Sequence, residues 1–172
     1  MQKNNLAIIL SGGTGKRFDI SKPKQFYKLN KKTILETSVE KFVNSDLFDH
    51  IIVVSHEDFF KSTKKLFKNK NIKVILGGDN RQKSVFNGLS AAKPLNPKYV
   101  LIHDAVRPFF TMNLLRRILR KLESDMSVIP SINVYDSARY FKNMKYTNIS
   151  RENLKLIQTP QGFCFNSIYE AH

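Results

Sequence analysis

The chain has a single cysteine, Cys164, in 172 residues. That excludes an intrachain disulfide and a cysteine-based zinc cluster. The four histidines, His50, His56, His103 and His172, lack metal-ligand spacing, so no zinc site is expected. No apolar run approaches the length of a membrane span. The apolar stretch from Leu6 begins almost at once and leaves no room for a signal or transit peptide. A reducing, cytoplasmic setting is therefore expected. Acidic residues are scarce: 14 Asp and Glu against 29 Lys and Arg leave a net charge of +15. Such an excess suits nucleic acid or a highly anionic substrate. The chain lacks an arginine-rich tail, a zinc finger and an aromatic RNA-binding signature, so neither nucleic acid nor a membrane is the expected partner. Most of the excess reads as a wet surface. Lys61, Lys64, Lys65, Lys68 and Lys70 share one helical segment with Phe59, Phe60, Leu66 and Phe67, a solvated face opposite a buried one. Repeats and low-complexity linkers are also missing, and the length suits one domain with a real core.

What is present is an alternation of strand-like and helix-like runs. Leu6–Leu10 and the β-branched Ile51–Val54 read as buried strands, and Lys73–Leu76, Tyr99–His103 and Met126–Pro130 as further strands. Helical spacing links Ile34, Leu35, Val39 and Phe42. It also links Leu114, Leu115, Ile118, Leu119 and Leu122, the clearest amphipathic helix. Asp58–Lys68 reads as a helix, and another begins near Ser84. This order predicts an α/β fold, a mostly parallel Rossmann-like sheet with helices on both faces. Asn133–Tyr140 and Tyr146–Arg151 read as an extended arm or hairpin. A helix begins after Asn166 and meets the chain end at His172, which reads as a domain cut short at its C-terminus.

Ligands of such sheets sit at the carboxyl ends of the strands. Three polar loops fall on that edge: Ser11-Gly12-Gly13-Thr14-Gly15-Lys16-Arg17, Gly77-Gly78-Asp79-Asn80-Arg81, and Asp104-Ala105-Val106-Arg107-Pro108. In the first, glycines let backbone N–H groups approach an anion, and Lys16, Arg17 and nearby Lys24 add the charge a triphosphate needs. The loop is not a Walker loop, because Arg17 follows Gly15-Lys16 and Leu10 stands where the first glycine belongs. Phe18 in place of the third glycine also excludes the dinucleotide fingerprint.

Five motifs occur in order along the chain: Gly12-Gly13-x-Gly15-x-Arg17, Pro23-Lys24-Gln25, Gly77-Gly78-Asp79-x-Arg81-x-x-Ser84-Val85, His103-Asp104-Ala105-x-Arg107-Pro108, and Gln158-Thr159-Pro160-Gln161-Gly162-Phe163. Together they resemble nucleotidyltransferases that activate sugar or polyol phosphates, in particular the 2-C-methyl-D-erythritol 4-phosphate cytidylyltransferase family of the non-mevalonate isoprenoid pathway. The chain departs from the pattern at Ser11, where small residues such as alanine are common, and in lacking the family's C-terminal portion. The resemblance implies a single nucleotidyltransferase domain over 1–172, with a dimerisation and substrate arm over 131–155.

It also implies attack by the acceptor's phosphate on the α-phosphorus of CTP. Catalysis of that kind needs positioning and cations rather than a side-chain nucleophile or base. Arg17 and Lys24 are then the stabilisers of the transition state. Asp104 is the expected ligand for a Mg²⁺ cofactor, since Mg²⁺ is held by one or two carboxylates plus phosphates. The resemblance places Ser11, Gly12, Gly13, Gly15, Gly78, Ser84 and Ala105 around the nucleotide. It places Ser137 near the acceptor polyol, matches Thr159 to the threonine of the family's Thr-Pro-Gln motif as a further binding residue, and gives Arg151 the acceptor phosphate across a homodimer interface. Arg107 reads either as a substrate contact or as a brace of its loop, and Asp79 and Arg81 as residues that shape theirs. Ribitol 5-phosphate cytidylyltransferase shares these loops and is the alternative enzyme. A non-catalytic nucleotide- or nucleic-acid-binding module is the alternative of another class.

Overall fold

A computed structural model of the protein describes residues 4–13, 23–68 and 71–172. The chain begins with strand β1 (Asn5–Ser11), a small hairpin of β2 (Lys28–Leu29) and β3 (Lys32–Thr33), and helix α1 (Ile34–Asn44). Then follow β4 (His50–Ser55), α2 (Phe60–Leu66), β5 (Lys73–Leu76), α3 (Arg81–Ala92), β6 (Tyr99–Asp104) and α4 (Met112–Lys121). The last part contains β7 (Ser127–Val128), β8 (Ser131–Asn133), β9 (Ala138–Lys142), β10 (Lys145–Ile149), β11 (Lys155–Ile157), β12 (Gln161–Cys164) and α5 (Phe165–Glu170).

Six strands form the main sheet in the order β5-β4-β1-β6-β12-β7. The pairs β5–β4, β4–β1 and β1–β6 are parallel, whereas β12 runs antiparallel to both β6 and β7. Each parallel strand alternates its side chains between two cores. Ala7, Ile9, Ile51, Val53 and Leu101 pack under α1 and α4 with Leu35, Phe42, Leu115 and Ile118. Leu6, Ile8, Ile52, Val54 and Val100 pack under α3 and α5 with Val85, Leu89 and Phe165. The expected doubly covered α/β sheet is what forms.

Local chemistry sets the boundaries. Thr33 caps α1 in a reciprocal capping box with Glu36. Asn80 caps α3 through the Lys83 N–H, so that helix starts at Arg81, ahead of the expected Ser84. The segment expected as one helix from Asp58 begins as a 3₁₀ turn, Glu57–Phe59, before α2. The expected strand Met126–Pro130 shortens to β7, because Gln158 N–H bonds the Pro130 carbonyl and the chain turns off into β8. The arm is a hairpin, β9 against β10, joined to the body by the β8–β11 pair.

Candidate active site

Parallel pairing brings the carboxyl ends of β1, β5 and β6 to one edge. The Ala105 N–H donates to the Leu10 carbonyl at 2.9 Å, which joins two of the three loops. The third is closed by Ser84, whose hydroxyl accepts from the Gly78 N–H at 3.0 Å. A Cβ on Gly77 would lie 2.9 Å from that hydroxyl, and one on Gly12 would lie 3.7 Å from it. Gly12, Gly77, Gly78 and Ser84 are therefore neighbours. Ser11 is buried, and its hydroxyl has no hydrogen-bond partner among the described residues. Gly15 and Arg17 lie outside the described residues.

Ala105, expected beside the nucleotide, is not among the described residues that line the groove. It is fully buried, its N–H is taken by Leu10, and its carbonyl accepts from Ser38 Oγ at 2.6 Å. It lies beneath the site and joins β1, β6 and α1.

Lys24 starts a short 3₁₀ turn, Lys24–Phe26, entered through Pro23. It lines a groove of about 1100 Å³ with Arg107, Gln158 and Thr159, bounded by apolar Phe109 and Ile132. Sequence reasoning missed its neighbour Gln25. This side chain is 2% exposed, and its Nε2 donates to the carbonyls of Ser11 and Gly13 at 3.1 and 2.9 Å. The available signal was an amide in Pro-Lys-Gln just downstream of a glycine loop, whose carbonyls need donors.

Asp104 ends β6 with its carboxylate between two arginines. Arg81 Nη2 stands 3.3 Å from Oδ1 and Arg107 Nε 3.4 Å from Oδ2. Arg107 also donates to Gln158 Oε1 at 2.8 Å, so it braces the loop against the segment before β12. Arg81 spans from α3 to β6, which ties the second loop to the third. Among the described residues no three His, Cys, Asp or Glu side chains gather as a metal cage. One carboxylate at a strand end fits a Mg²⁺ whose remaining ligands come from phosphates and water.

Thr159 is tied to the same strand end. Its Oγ1 accepts from the Asp104 N–H at 3.3 Å and lies 2.9 Å from His103 Nδ1. His103 is fully buried beside the rings of Phe42 and Phe110. Burial lowers its pKa from 6.5 to about 4, with the Asp104 charge opposing the shift. The unfolded chain therefore takes up this proton first. The His103 contribution to stability is whole above about pH 6.5 and should fall by about 3 kcal/mol as the pH drops to 4. Denaturant unfolding of wild type and His103→Phe between pH 7 and 4 will measure it: the variant should lose that part of the slope. Equal slopes would show that His103 does not cause it.

Ser137 and Arg151 do not line the groove. Ser137 is exposed before β9, and Arg151 donates to the Tyr135 carbonyl at 2.7 Å on the arm. Arg151 lines a smaller recess of about 390 Å³ with Asn133, Tyr135 and Lys155. Cys164 sits in β12 with Sγ 3.7 Å from the Asp125 carbonyl, packed against the core.

Among the described residues the groove is lined by Lys24, Arg107 and Thr159 and by no histidine or cysteine, Thr159 bonding the Asp104 N–H and Gln25, next to Lys24, bonding the Ser11 and Gly13 carbonyls. Cations at the strand ends of this sheet suit a nucleotidyltransferase, whose substrates bring their own reacting oxygens. Residues 6–172 match the IspD family, 2-C-methyl-D-erythritol 4-phosphate cytidylyltransferase, and the chain belongs to that family. It is 39% identical over 171 residues to the 2-C-methyl-D-erythritol 4-phosphate cytidylyltransferase of Petrotoga mobilis, covering 96% of this chain and 75% of that one. It is 37% identical over 167 residues to the bifunctional enzyme IspD/IspF of Pelagibacter ubique, covering 97% of this chain and 45% of that one. The structure resembles 4-diphosphocytidyl-2C-methyl-D-erythritol synthase from Anaerococcus prevotii, with TM-score 0.83 and 27% identity over 98% of this chain and 74% of that one. The chain thus spans 45% of the first, bifunctional relative and 75% of the single-function one.

Proposed function

We propose that the chain transfers a cytidylyl group from CTP to 2-C-methyl-D-erythritol 4-phosphate. The acceptor's phosphate oxygen forms a bond to the α-phosphorus, and the bond to the β-phosphate bridging oxygen breaks. Pyrophosphate leaves with that electron pair. The observation that carries this reading is that Lys24, Arg107 and Thr159 line one groove, with Thr159 bonded to the Asp104 N–H and the turn of Lys24 tied to Ser11 and Gly13 through Gln25.

Lys24 is the cation for charge growing on the oxygens at phosphorus. Arg17, when the nucleotide is held, adds a planar fork to the same oxygens. The backbone of Ser11, Gly12, Gly13 and Gly78 surrounds the nucleotide, with Gly15 on the triphosphate side. Ser84 holds the Gly78 turn in shape. Asp104 is the residue that would hold Mg²⁺, which supplies neutralising charge to the triphosphate. Binding the metal requires Asp104 to share its oxygens with Arg81 and Arg107.

The acceptor lies toward Thr159. The arm over 131–155, within one domain spanning the chain, reaches a second copy in a homodimer, where Ser137 and Arg151 serve the neighbouring acceptor site. Support comes from its exposed apolar side chains, Tyr140 at 53%, Met144 at 86% and Tyr146 at 68%. No described helix is long and apolar enough to cross a membrane, and the lone Cys164 suits a cytoplasmic setting.

The test is pyrophosphate release from CTP and Mg²⁺ with each of two acceptors. Turnover is expected with 2-C-methyl-D-erythritol 4-phosphate and none with ribitol 5-phosphate. The reverse pattern would move the assignment to ribitol phosphate, and silence with both would overturn cytidylyl transfer by this chain.

A further inference from the structure

Resting on the nucleotide-site reading above, we propose that Gln25 is a positioning residue that presets the Ser11-Gly12-Gly13 backbone for the CTP triphosphate and fixes it relative to Lys24. The loop leaves β1 at Ser11, and its carbonyls would present negative dipoles to an arriving anion. Gln25 removes two of them. Both partners of its side-chain nitrogen are carbonyl oxygens, those of Ser11 and Gly13, at 3.1 and 2.9 Å. Only the NH₂ end of the amide can face two acceptors, and its two hydrogens serve one each. At 2% exposure, water does not readily replace these bonds.

The geometry carries over to the loop's donors. A trans peptide is planar, with C=O and N–H on opposite sides. Turning the Ser11 carbonyl toward Gln25 therefore turns the Gly12 N–H away from it. Ser11-Gly12-Gly13 so held lose little freedom when they meet an anion, which adds to affinity. Gln25 also sits in the turn begun by Lys24, whose carbonyl accepts from the Tyr27 N–H at 3.1 Å, while Phe26 N–H bonds Pro23 at 3.0 Å. One rigid turn thus carries the lysine of the groove and the clip of the loop. Two parts of the site twelve or more residues apart become one unit.

The test compares wild type with Gln25→Met, which keeps the length and removes both donors, and Gln25→Glu, which places an acceptor against two carbonyls. Backbone amide order parameters at Gly12 and Gly13 should fall in both variants, while those of β4 and β6 stay as in wild type. Affinity for tripolyphosphate and for CTP with Mg²⁺ should fall roughly tenfold. The KM for CTP should rise while the KM for the acceptor holds. Unchanged order parameters at Gly12 and Gly13 overturn the clip. Lower order parameters with unchanged tripolyphosphate and CTP affinity overturn its role in anion binding. If wild type binds tripolyphosphate but transfers nothing to either acceptor, the transferase assignment falls, and order parameters and tripolyphosphate affinity still decide the role of Gln25.

Discussion

Lys24→Ala will lower kcat for cytidylyl transfer by roughly 10²–10³-fold, the usual cost of removing one preorganised electrostatic partner of a transition state. The step at phosphorus builds charge on oxygens that a cation must already be facing. Pro23 enters the turn, Gln25 anchors it in the core, and the lysine side chain lines the groove beside Thr159. Lys24 itself is exposed, so the variant should keep the wild-type circular dichroism and a similar melting temperature. Lys24→Arg keeps the charge but replaces a compact ammonium with a planar fork, and should recover only part of the rate. Single-turnover measurements with saturating CTP separate chemistry from binding. Near-normal turnover in Lys24→Ala would remove the lysine from the transition state.

Gly162→Val will destabilise the fold by roughly 3 kcal/mol, at the upper end of ordinary overpacking. Gly162 lies in β12 against α4. A Cβ there would collide with Ile118 Cγ2, meet Leu122 Cδ1 at 3.0 Å and reach Leu101 Cδ1 at 3.5 Å. Ile118, Leu122 and Leu101 are all buried, so neither helix nor sheet has a free side to yield toward. The displaced strand also carries Thr159 two residues before its start, so activity should fall with stability. Gly13→Ala is the contrasting variant. Its Cβ would meet nothing within 4 Å, so the melting transition should stay while CTP binding weakens through lost backbone approach. Urea unfolding of both variants decides the matter: equal midpoints for Gly162→Val and wild type would show that β12 can move away from α4.

The two glycines also show how far the motifs could be read. In Gly12-Gly13 the residue type, after a buried strand and before cations, points to an anion cradle, although glycine-rich turns also follow strands that bind nothing. In Pro160-Gln161-Gly162-Phe163 the same residue type serves packing, and only the approach of α4 reveals it. Arg107 was open between substrate contact and brace until its bonds to Asp104 and Gln158 were seen. Ala105 matched a site motif, yet both its backbone groups are spent on Leu10 and Ser38. Gln25 and His103 stood inside recognised motifs without a task, because a buried hydrogen bond across the fold leaves no periodic trace in the chain.

The alternating α/β architecture was legible in the chain alone, and so were the sheet edge where a site was expected and the anionic ligand expected there. These follow from local properties: apolar period, glycine placement and the sign of charge are properties of neighbours in the chain. Tertiary structure alone decided which polar residues are partners. It set Asp104 between arginines from two segments, tied Thr159 to His103 across 56 positions, and clipped the glycine loop to the turn of Lys24 through Gln25. Each of these depends on burial and on distances between remote segments, which exist only once the sheet has assembled.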